Sequence, residues 1–179
     1  MKTYTLKVAG LTRELPICPA GEKLDIAAFI MFSDVELTVA CAEKLLEKAP
    51  DFDIIITAES KGIPLAYEAA RQAGKSYVVA RKSVKLYMTD PVSVKVKSIT
   101  TAQEQTLYLS GEDAAKLDGK KVLILDDVIS TGGSLTAIEK LVEAAHGCIA
   151  GKGAVLAEGD AAERDDIFYL EKLPLFFHD

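Results

Sequence analysis

The sequence predicts an α/β domain in which helices flank a central parallel β-sheet. Two observations predict this class. Between residues 31 and 157, apolar runs of strand length alternate with segments of helical periodicity, which is typical of βαβ units. Residues 122–134 also continue an apolar strand into two adjacent aspartates, a loop rich in glycine and hydroxyl residues, and a helical pattern. Ligands commonly bind at such strand ends in α/β sheets.

The first half of the chain contains a predicted hairpin and then alternating helices and strands. Residues 3–9 and 13–18 alternate in polarity around a turn at 9–12, which predicts the hairpin. Apolar residues recur at helical spacing over 34–49, and this helix ends before Pro50. The elements that follow are a strand over 52–57, a helix over 63–73 with Gly74 as its stop, and a strand over 77–80.

The second half continues the alternation after a stretch of mixed polarity. The predicted elements are, in order, an antiparallel ribbon of 92–98 with 104–109, a strand over 121–125, a helix over 134–146, and a strand over 148–157. Ser134 is the predicted cap of the helix and Gly147 its end. The segments 1–30 and 159–179 lie outside the alternation, so we expect them to form a cap over the sheet.

Composition limits the possible functions of the chain. Its 179 residues fit one domain spanning 1–179. The net charge of −6 argues against nucleic acid as a partner, because general nucleic-acid binders carry a basic face. No apolar run reaches membrane-spanning length, and the N-terminus lacks a signal-peptide pattern, so no membrane association is expected. The spacing of Cys18, Cys41 and Cys148 fits neither a metal site nor a disulfide framework, which favours a cytoplasmic protein.

The run over 122–134 has the chemistry of a sugar-phosphate site. Two carboxylates suit ribose hydroxyls, and glycines before a helix N-terminus let backbone N–H groups close on an anion. The run lacks the lysine of the G-x-x-x-x-G-K-[ST] loop and is not a G-x-G-x-x-G dinucleotide motif. The alternative is an ordinary glycine-rich turn, but acids, hydroxyls and glycines all fall in the order that a ligand site needs.

This run resembles the phosphoribosyl-pyrophosphate (PRPP) motif of the type I phosphoribosyltransferases. The resemblance implies the fold of that family, with a core over about 31–157, a small hood over 1–30 and 159–179, and a flexible lid over 83–109. It also implies that two aspartates bind the ribose and that the loop after them holds the 5′-phosphate. The residues implied in phosphoribosyl binding are Asp126, Asp127, Val128, Ile129, Ser130, Thr131, Gly132, Gly133 and Ser134.

Two further segments resemble the pyrophosphate-binding parts of the same family. The first lies between a predicted strand and helix, where the family often has a non-proline cis peptide; the second follows the strand over 77–80 and carries three cations. Taken alone, the first segment is better explained as a plain connection and the second as a solvated charged turn; their place beside the PRPP motif is what favours the resemblance. The residues implied are Glu59, Ser60, Lys61, Gly62, Arg81, Lys82 and Lys85.

The resemblance implies that a base nitrogen attacks C1′ of the sugar as pyrophosphate leaves. Catalytic roles fall to Asp126, Asp127 and Lys85. Glu104 is the candidate for proton transfer, although its spacing departs from that of the lid glutamate in adenine-type relatives. Mg²⁺ is the expected cofactor, bound through pyrophosphate and ribose oxygens with no direct protein ligand assigned.

A purine is the expected acceptor, with adenine favoured. The region 26–32 is almost wholly apolar, and Gly159 follows Glu158 where xanthine enzymes tend to have a basic residue. Phe29, Ile30 and Val128 are the expected base-binding residues. The alternatives are a transferase for xanthine, hypoxanthine, guanine or another base, and a non-catalytic regulator that senses PRPP. The resemblance also implies a homodimer that pairs around the pyrophosphate loop and the helix over 34–49.

Overall fold

The computed structural model describes residues 2–97 and 104–178. In these residues the strands are β1 (Thr3–Val8), β2 (Leu11–Pro19), β3 (Leu24–Ala27), β4 (Ile54–Ala58), β5 (Ser76–Ala80), β6 (Val92–Lys97), β7 (Glu104–Leu109), β8 (Lys121–Ile129), β9 (Cys148–Glu158), β10 (Phe168–Leu173) and β11 (Leu175–Phe177). The helices are α1 (Val35–Lys48), α2 (Ile63–Ala73), α3 (Gly111–Leu117) and α4 (Gly133–Ala144), with a short 3₁₀ helix over Gly159–Glu163. No helix in the described residues is long and apolar enough to cross a membrane.

A five-stranded sheet in the order β10-β9-β8-β4-β5 forms the centre of the molecule, and every pair in it is parallel. Alternate side chains of β8 enter opposite cores, as the pleat of a strand requires. Val122 and Ile124 pack with α4 on one face, while Leu123 and Leu125 pack with α1 and α2 on the other. All four side chains are fully buried, which confirms a sheet covered on both faces.

The helix predicted over 63–73 is confirmed at both ends, and Gly74 closes it in the left-handed conformation with φ 65°. The predicted cap of α4 is wrong. The helix begins at Gly133, and its N-cap is Gly132 at φ 81°, with no side-chain cap hydrogen bond. The backbone N–H groups at this helix start are therefore not capped by a side chain and lie at the loop predicted to bind phosphate.

Strand β8 extends to Ile129, beyond its predicted end at residue 125. It pairs with β4 only through Ile124, but its pairing with β9 continues to Ile129 opposite Ala157. The extension exists because β9 is itself long and supplies partners on that side. Asp126 and Asp127 thus lie on the strand, just beyond the point where β4 leaves it.

The predicted cap is a separate antiparallel sheet in the order β1-β2-β3-β11. The predicted hairpin is confirmed, with a tight turn at Ala9–Gly10, where both residues have positive φ. The C-terminal segment differs from the expected hood, because β10 joins the central sheet parallel to β9 and β11 alone joins the hood sheet. Arg13 of β2 binds the Asp34 carboxylate at the start of α1 (2.7 Å), which ties the hood to the core.

The antiparallel ribbon predicted before β8 is confirmed as the hairpin of β6 and β7. Its apolar side chains, including Val96, Leu107 and Leu109, are buried in the core that contains α4. The connection over 98–103 lies outside the described residues. Helix α3, which no sequence pattern predicted, follows β7 and is capped by Ser110, whose Oγ accepts from the Asp113 backbone N–H.

Candidate active site

The candidate site is a cavity of about 400 Å³ at the carboxyl ends of the central strands, beneath the hood. Its wall contains residues from all three segments that the sequence singled out. The aspartate pair and the start of the phosphate loop belong to the first segment, residues 58–61 to the pyrophosphate loop, and Lys82 to the cationic segment. Residues 26–30 of the hood also line the cavity. The fold therefore brings together segments that are far apart in the chain.

The aspartate pair presents carboxylate oxygens to this cavity. Asp127 is 4% exposed, and its Oδ2 accepts no hydrogen bond from any described residue. The Lys61 ammonium lies 3.6 Å from that oxygen. Asp126 accepts a hydrogen bond from the Asp127 backbone N–H at 2.8 Å. Burial of Asp126, together with the neighbouring charge of Asp127, raises the pKa of Asp126 well above its usual range.

The phosphate loop surrounds a second, smaller cavity of about 100 Å³ that is lined by Asp126 and residues 128–135. Gly132 has a positive φ, a backbone conformation that favours glycine, and a Cβ on it would lie 2.7 Å from Nη1 at the end of the flexible Arg164 side chain. A Cβ on Gly133 would meet nothing closer than Thr131 Oγ1 at 3.9 Å. The loop is thus open on the side of Gly133, at the N-terminus of α4, where an anion is favoured.

The pyrophosphate loop joins β4 to α2. Its peptide bond between Glu59 and Ser60 is cis, which confirms the feature that the family resemblance implied. A Cβ on Gly62 would lie 2.6 Å from Thr57 Oγ1 and 3.0 Å from Asp126 Oδ1. Only glycine therefore allows this loop to approach β8 so closely, and the approach places Lys61 beside Asp127.

Glu59 links the two segments that were expected to bind pyrophosphate. Its carboxylate accepts from the Lys82 backbone N–H at 2.9 Å and lies 3.2 Å from Arg81 Nη2. The Lys82 hydrogen bond and the Arg81 guanidinium hold the pKa of Glu59 below its usual range, so the group is a carboxylate at neutral pH. Arg81 also donates to the Tyr87 hydroxyl at 2.6 Å.

Of the remaining lysines, Lys82 lines the cavity and Lys85 does not. The Lys85 ammonium instead donates to Ser83 Oγ at 2.8 Å, and Lys85 is not among the described residues that line the cavity. Glu104 lies on β7, where Gln105 rather than Glu104 reaches the wall. Residues 98–103, which precede that glutamate, are outside the described part of the chain.

At the hood end, the residues expected to bind the base line the cavity together. Phe29 is buried, Ile30 is more than half exposed, and Val128 is half-buried on the opposite wall.

Two polar wall residues were not among the predicted site residues. Glu158 accepts a hydrogen bond from Ser130 Oγ at 2.9 Å, and the Gln105 amide lies 3.4 Å from Ser134 Oγ. The position of Glu158 at the carboxyl end of the last core strand is the signal that could have identified it. Within the described residues, no group of three or more His, Cys, Asp or Glu side chains is arranged to hold a metal ion.

Comparisons with known proteins agree with this geometry. The family model of the phosphoribosyl transferase domain matches residues 37–174. An adenine phosphoribosyltransferase of Kosmotoga olearia is 36% identical over 149 residues, which cover 82% of this chain and 84% of that protein. A hypoxanthine/guanine phosphoribosyltransferase of Methanothermococcus okinawensis is 38% identical over 113 residues, which cover 63% of this chain and 58% of that protein.

The fold is likewise that of solved structures. The adenine phosphoribosyltransferase of Saccharomyces cerevisiae, complexed with an imino-altritol bisphosphate and adenine, aligns with a TM-score of 0.71 at 22% identity. The alignment covers 87% of this chain and 93% of the yeast chain. With the family match over the core and the PRPP motif in place at the cavity, this chain belongs to the phosphoribosyltransferase family.

Proposed function

We propose that this protein transfers the 5-phosphoribosyl group of PRPP to a purine base, with adenine favoured, and releases pyrophosphate in purine salvage. One observation carries the proposal. A single cavity joins the aspartate pair, the pyrophosphate loop and the start of the phosphate loop to an apolar end beneath the hood. The base, the ribose and the pyrophosphate each find a wall of matching chemistry in that cavity, and the phosphate loop also lines the smaller cavity that suits the 5′-phosphate.

The aspartates orient the sugar in this proposal. Oδ2 of Asp127, which accepts no hydrogen bond from the described residues, and the half-buried side chain of Asp126 accept from the ribose 2′- and 3′-hydroxyls. The 5′-phosphate lies in the smaller cavity, where the N-terminus of α4 attracts its charge. These contacts fix C1′ beneath the base and stabilise the positive charge that develops on the ribose ring.

The leaving pyrophosphate meets Lys61 and Lys82 on the cavity wall. Both cations stand at positions where the oxygens of the leaving group gain charge, so they favour bond cleavage. A Mg²⁺ ion bound through pyrophosphate and ribose oxygens would neutralise part of the same charge. The residues fit such an ion, because Asp127 Oδ2 is an oxygen of the kind that Mg²⁺ prefers and accepts no hydrogen bond from the described residues. The lid over 83–109 excludes water once both substrates are bound.

The preference for adenine rests on the apolar hood end and on the relatives. Phe29, Ile30 and Val128 supply flat apolar contacts for a purine ring. No cationic side chain is among the described residues 26–30 at this end of the cavity, so a base carbonyl gains no ion–dipole contact there. The adenine enzyme of Kosmotoga olearia matches most of the chain, which supports the same choice.

The proposal includes a cytoplasmic homodimer. The described cysteines are unpaired, which fits a reducing compartment. A groove between α1 and α2, lined by apolar residues such as Val35, Val39 and Tyr67, offers a surface for a second copy.

A base screen tests the function. The protein is incubated with PRPP, Mg²⁺ and one base at a time, and pyrophosphate release is measured with adenine, hypoxanthine, guanine and xanthine. Adenine should give the highest kcat/KM, and chelation of Mg²⁺ should abolish release. Faster release with another base would identify a different acceptor. Tight PRPP binding without consumption of any base would favour the PRPP-sensing regulator instead.

A further inference from the structure

Glu158 occupies a place in the cavity that the proposed mechanism does not use. It is the last residue of β9, it is half-buried, and it lines the cavity with Val128 and Ser130. Its Oε1 accepts from the Ser130 hydroxyl at 2.9 Å. That bond fixes the carboxylate at the start of the phosphate loop.

The surroundings of Glu158 place it at the hood end of the cavity. The next residue, Gly159, has a positive φ, and a Cβ on it would lie 2.8 Å from Leu175 Cδ1 of β11. Leu175 pairs with Ile26 of β3, and Ile26 lines the cavity. Glu158 therefore lies between the phosphate loop and the hood, which is where the base is expected to bind.

The carboxylate has one oxygen available and no neutralising partner. Among the described residues no ion pair involves Glu158, and the Ser130 hydroxyl is the one recorded donor to it. The cavity cations Lys61 and Lys82 belong to the segments that follow β4 and β5. Glu158 lines the cavity and no described residue donates to its Oε2, so this acceptor repels phosphates and carbonyl oxygens and is satisfied by an N–H donor.

We propose that Glu158 is a specificity-determining residue that accepts a hydrogen bond from an amino group on the edge of the base. PRPP cannot supply that donor, because its phosphates are anionic and its ribose hydroxyls face Asp126 and Asp127. An aminopurine such as adenine supplies it, whereas hypoxanthine brings an oxygen in place of the amino group. This inference rests on the proposed function and deepens it by naming the residue that selects the base.

The test compares base selectivity in Glu158→Gln, in Glu158→Ala and in the wild type. The ratio of kcat/KM for adenine to that for hypoxanthine should fall at least about tenfold in both variants, since a site built around a hydrogen bond loses discrimination without it. The KM for PRPP should stay within about threefold, because uniform sugar contacts are unchanged. Glu163→Gln is the matched control. Glu163 lies in the adjoining 3₁₀ helix, is exposed and binds Lys172. The adenine-to-hypoxanthine ratio of kcat/KM in this variant should therefore equal that of the wild type.

A merely structural role for Glu158 predicts a different result. If the residue only positions Ser130, both bases should lose activity equally, and Ser130→Ala should reproduce the loss; an unchanged ratio would therefore overturn the proposal. A wild type that prefers hypoxanthine would overturn it as well.

Calorimetric affinities for AMP and IMP test the role of Glu158 independently of turnover. If the wild type consumes no base, the proposed function fails, yet a preference for AMP that disappears in Glu158→Gln still supports the assignment, and equal AMP and IMP affinities refute it.

Discussion

At the scale of single residues, the cations near the cavity have different local partners. Lys61 lies beside Asp127, Lys82 lines the cavity wall, and the Lys85 ammonium is held by Ser83. Arg81 is engaged with Glu59 and therefore supports the pyrophosphate loop more directly than it supports a ligand. Lys85 does not line the cavity, so its role requires a kinetic test.

We expect Lys85→Ala to lower kcat by about a hundredfold and to raise the KM for PRPP by much less. A charge that meets the leaving group matters most as the C1′–oxygen bond breaks, and the loss of one such contact costs about this factor. Lys85→Arg should recover part of the activity, because a planar fork replaces a compact charge. Steady-state kinetics with PRPP and the acceptor base measure both quantities.

Lys75→Ala serves as the control for this substitution. Lys75 is exposed just after α2 and does not line the cavity, so its loss should leave kcat unchanged. If Lys85→Ala had the same near-normal kinetics, residues 81–85 would be a solvated turn and the leaving group would depend on Lys61 and Lys82.

At the scale of elements, two glycines of the phosphate loop have different roles. Gly132 adopts a backbone conformation that favours glycine, and Gly133 leaves room for the anion. Gly132 has a positive φ and packs against Arg164, so a side chain there disturbs the loop itself. Gly133 lies at the first position of α4 with room for a Cβ. A larger residue at Gly133 should therefore occupy the space of the anion and leave the fold in place.

We predict that Thr131→Ala combined with Gly133→Val abolishes PRPP binding while the free energy of unfolding stays close to that of the wild type. The valine blocks the approach of phosphate to the backbone. The threonine change removes the Thr131 hydroxyl, whose Oγ1 is the nearest atom to a Cβ on residue 133, at 3.9 Å. Isothermal titration calorimetry measures the binding and thermal unfolding the stability.

Gly21→Val is the matched control for a glycine-to-valine change. Gly21 lies between β2 and β3 with no atom within 4 Å of the position of a Cβ, so this variant should bind PRPP normally. Wild-type affinity in the double variant at the loop would contradict its assignment as the phosphate site.

At the scale of the whole molecule, the exposed apolar surface is concentrated next to the site. Val35 is 74% exposed and Tyr67 is 55% exposed, and both line the groove between α1 and α2. Ile30 and Phe32, in the connection that leads from the hood to α1, are also exposed. A groove with exposed apolar residues of this kind is typical of a protein interface. It lies close to the pyrophosphate loop because α2 begins where that loop ends.

We expect the protein to sediment as a dimer at micromolar concentration. Val35→Asp combined with Tyr67→Ser should shift it toward monomer, because charge and lost aromatic area at the centre of an interface weaken association. Phe177→Ser is the control, since Phe177 is equally exposed on the hood strand β11 but lies away from the groove. A monomeric wild type in analytical ultracentrifugation would exclude the dimer.

Much of the fold was predictable because local patterns determine it. Neighbouring residues determine the apolar runs of the core strands, the stop of α2 at Gly74 and the alternating polarity of the β1–β2 hairpin. The cap of α4 was mispredicted for a local reason as well. Serine is a common N-cap, but the turn at Gly132 starts the helix one residue earlier. The short, mixed-polarity strand β10 offered no local sign that it belongs to the central sheet.

The sequence alone determined the chemistry of the site, since the aspartates and glycines of the PRPP motif and the cations of the two pyrophosphate segments lie within short segments whose order identifies the family. Only the tertiary structure decided which of these groups meet. It placed Lys61 beside Asp127 and brought Glu158 to Ser130. These contacts depend on strand order and on the packing of loops against each other. Such long-range pairings leave no local signal, because each is fixed by the register of a sheet whose strands are far apart in the chain.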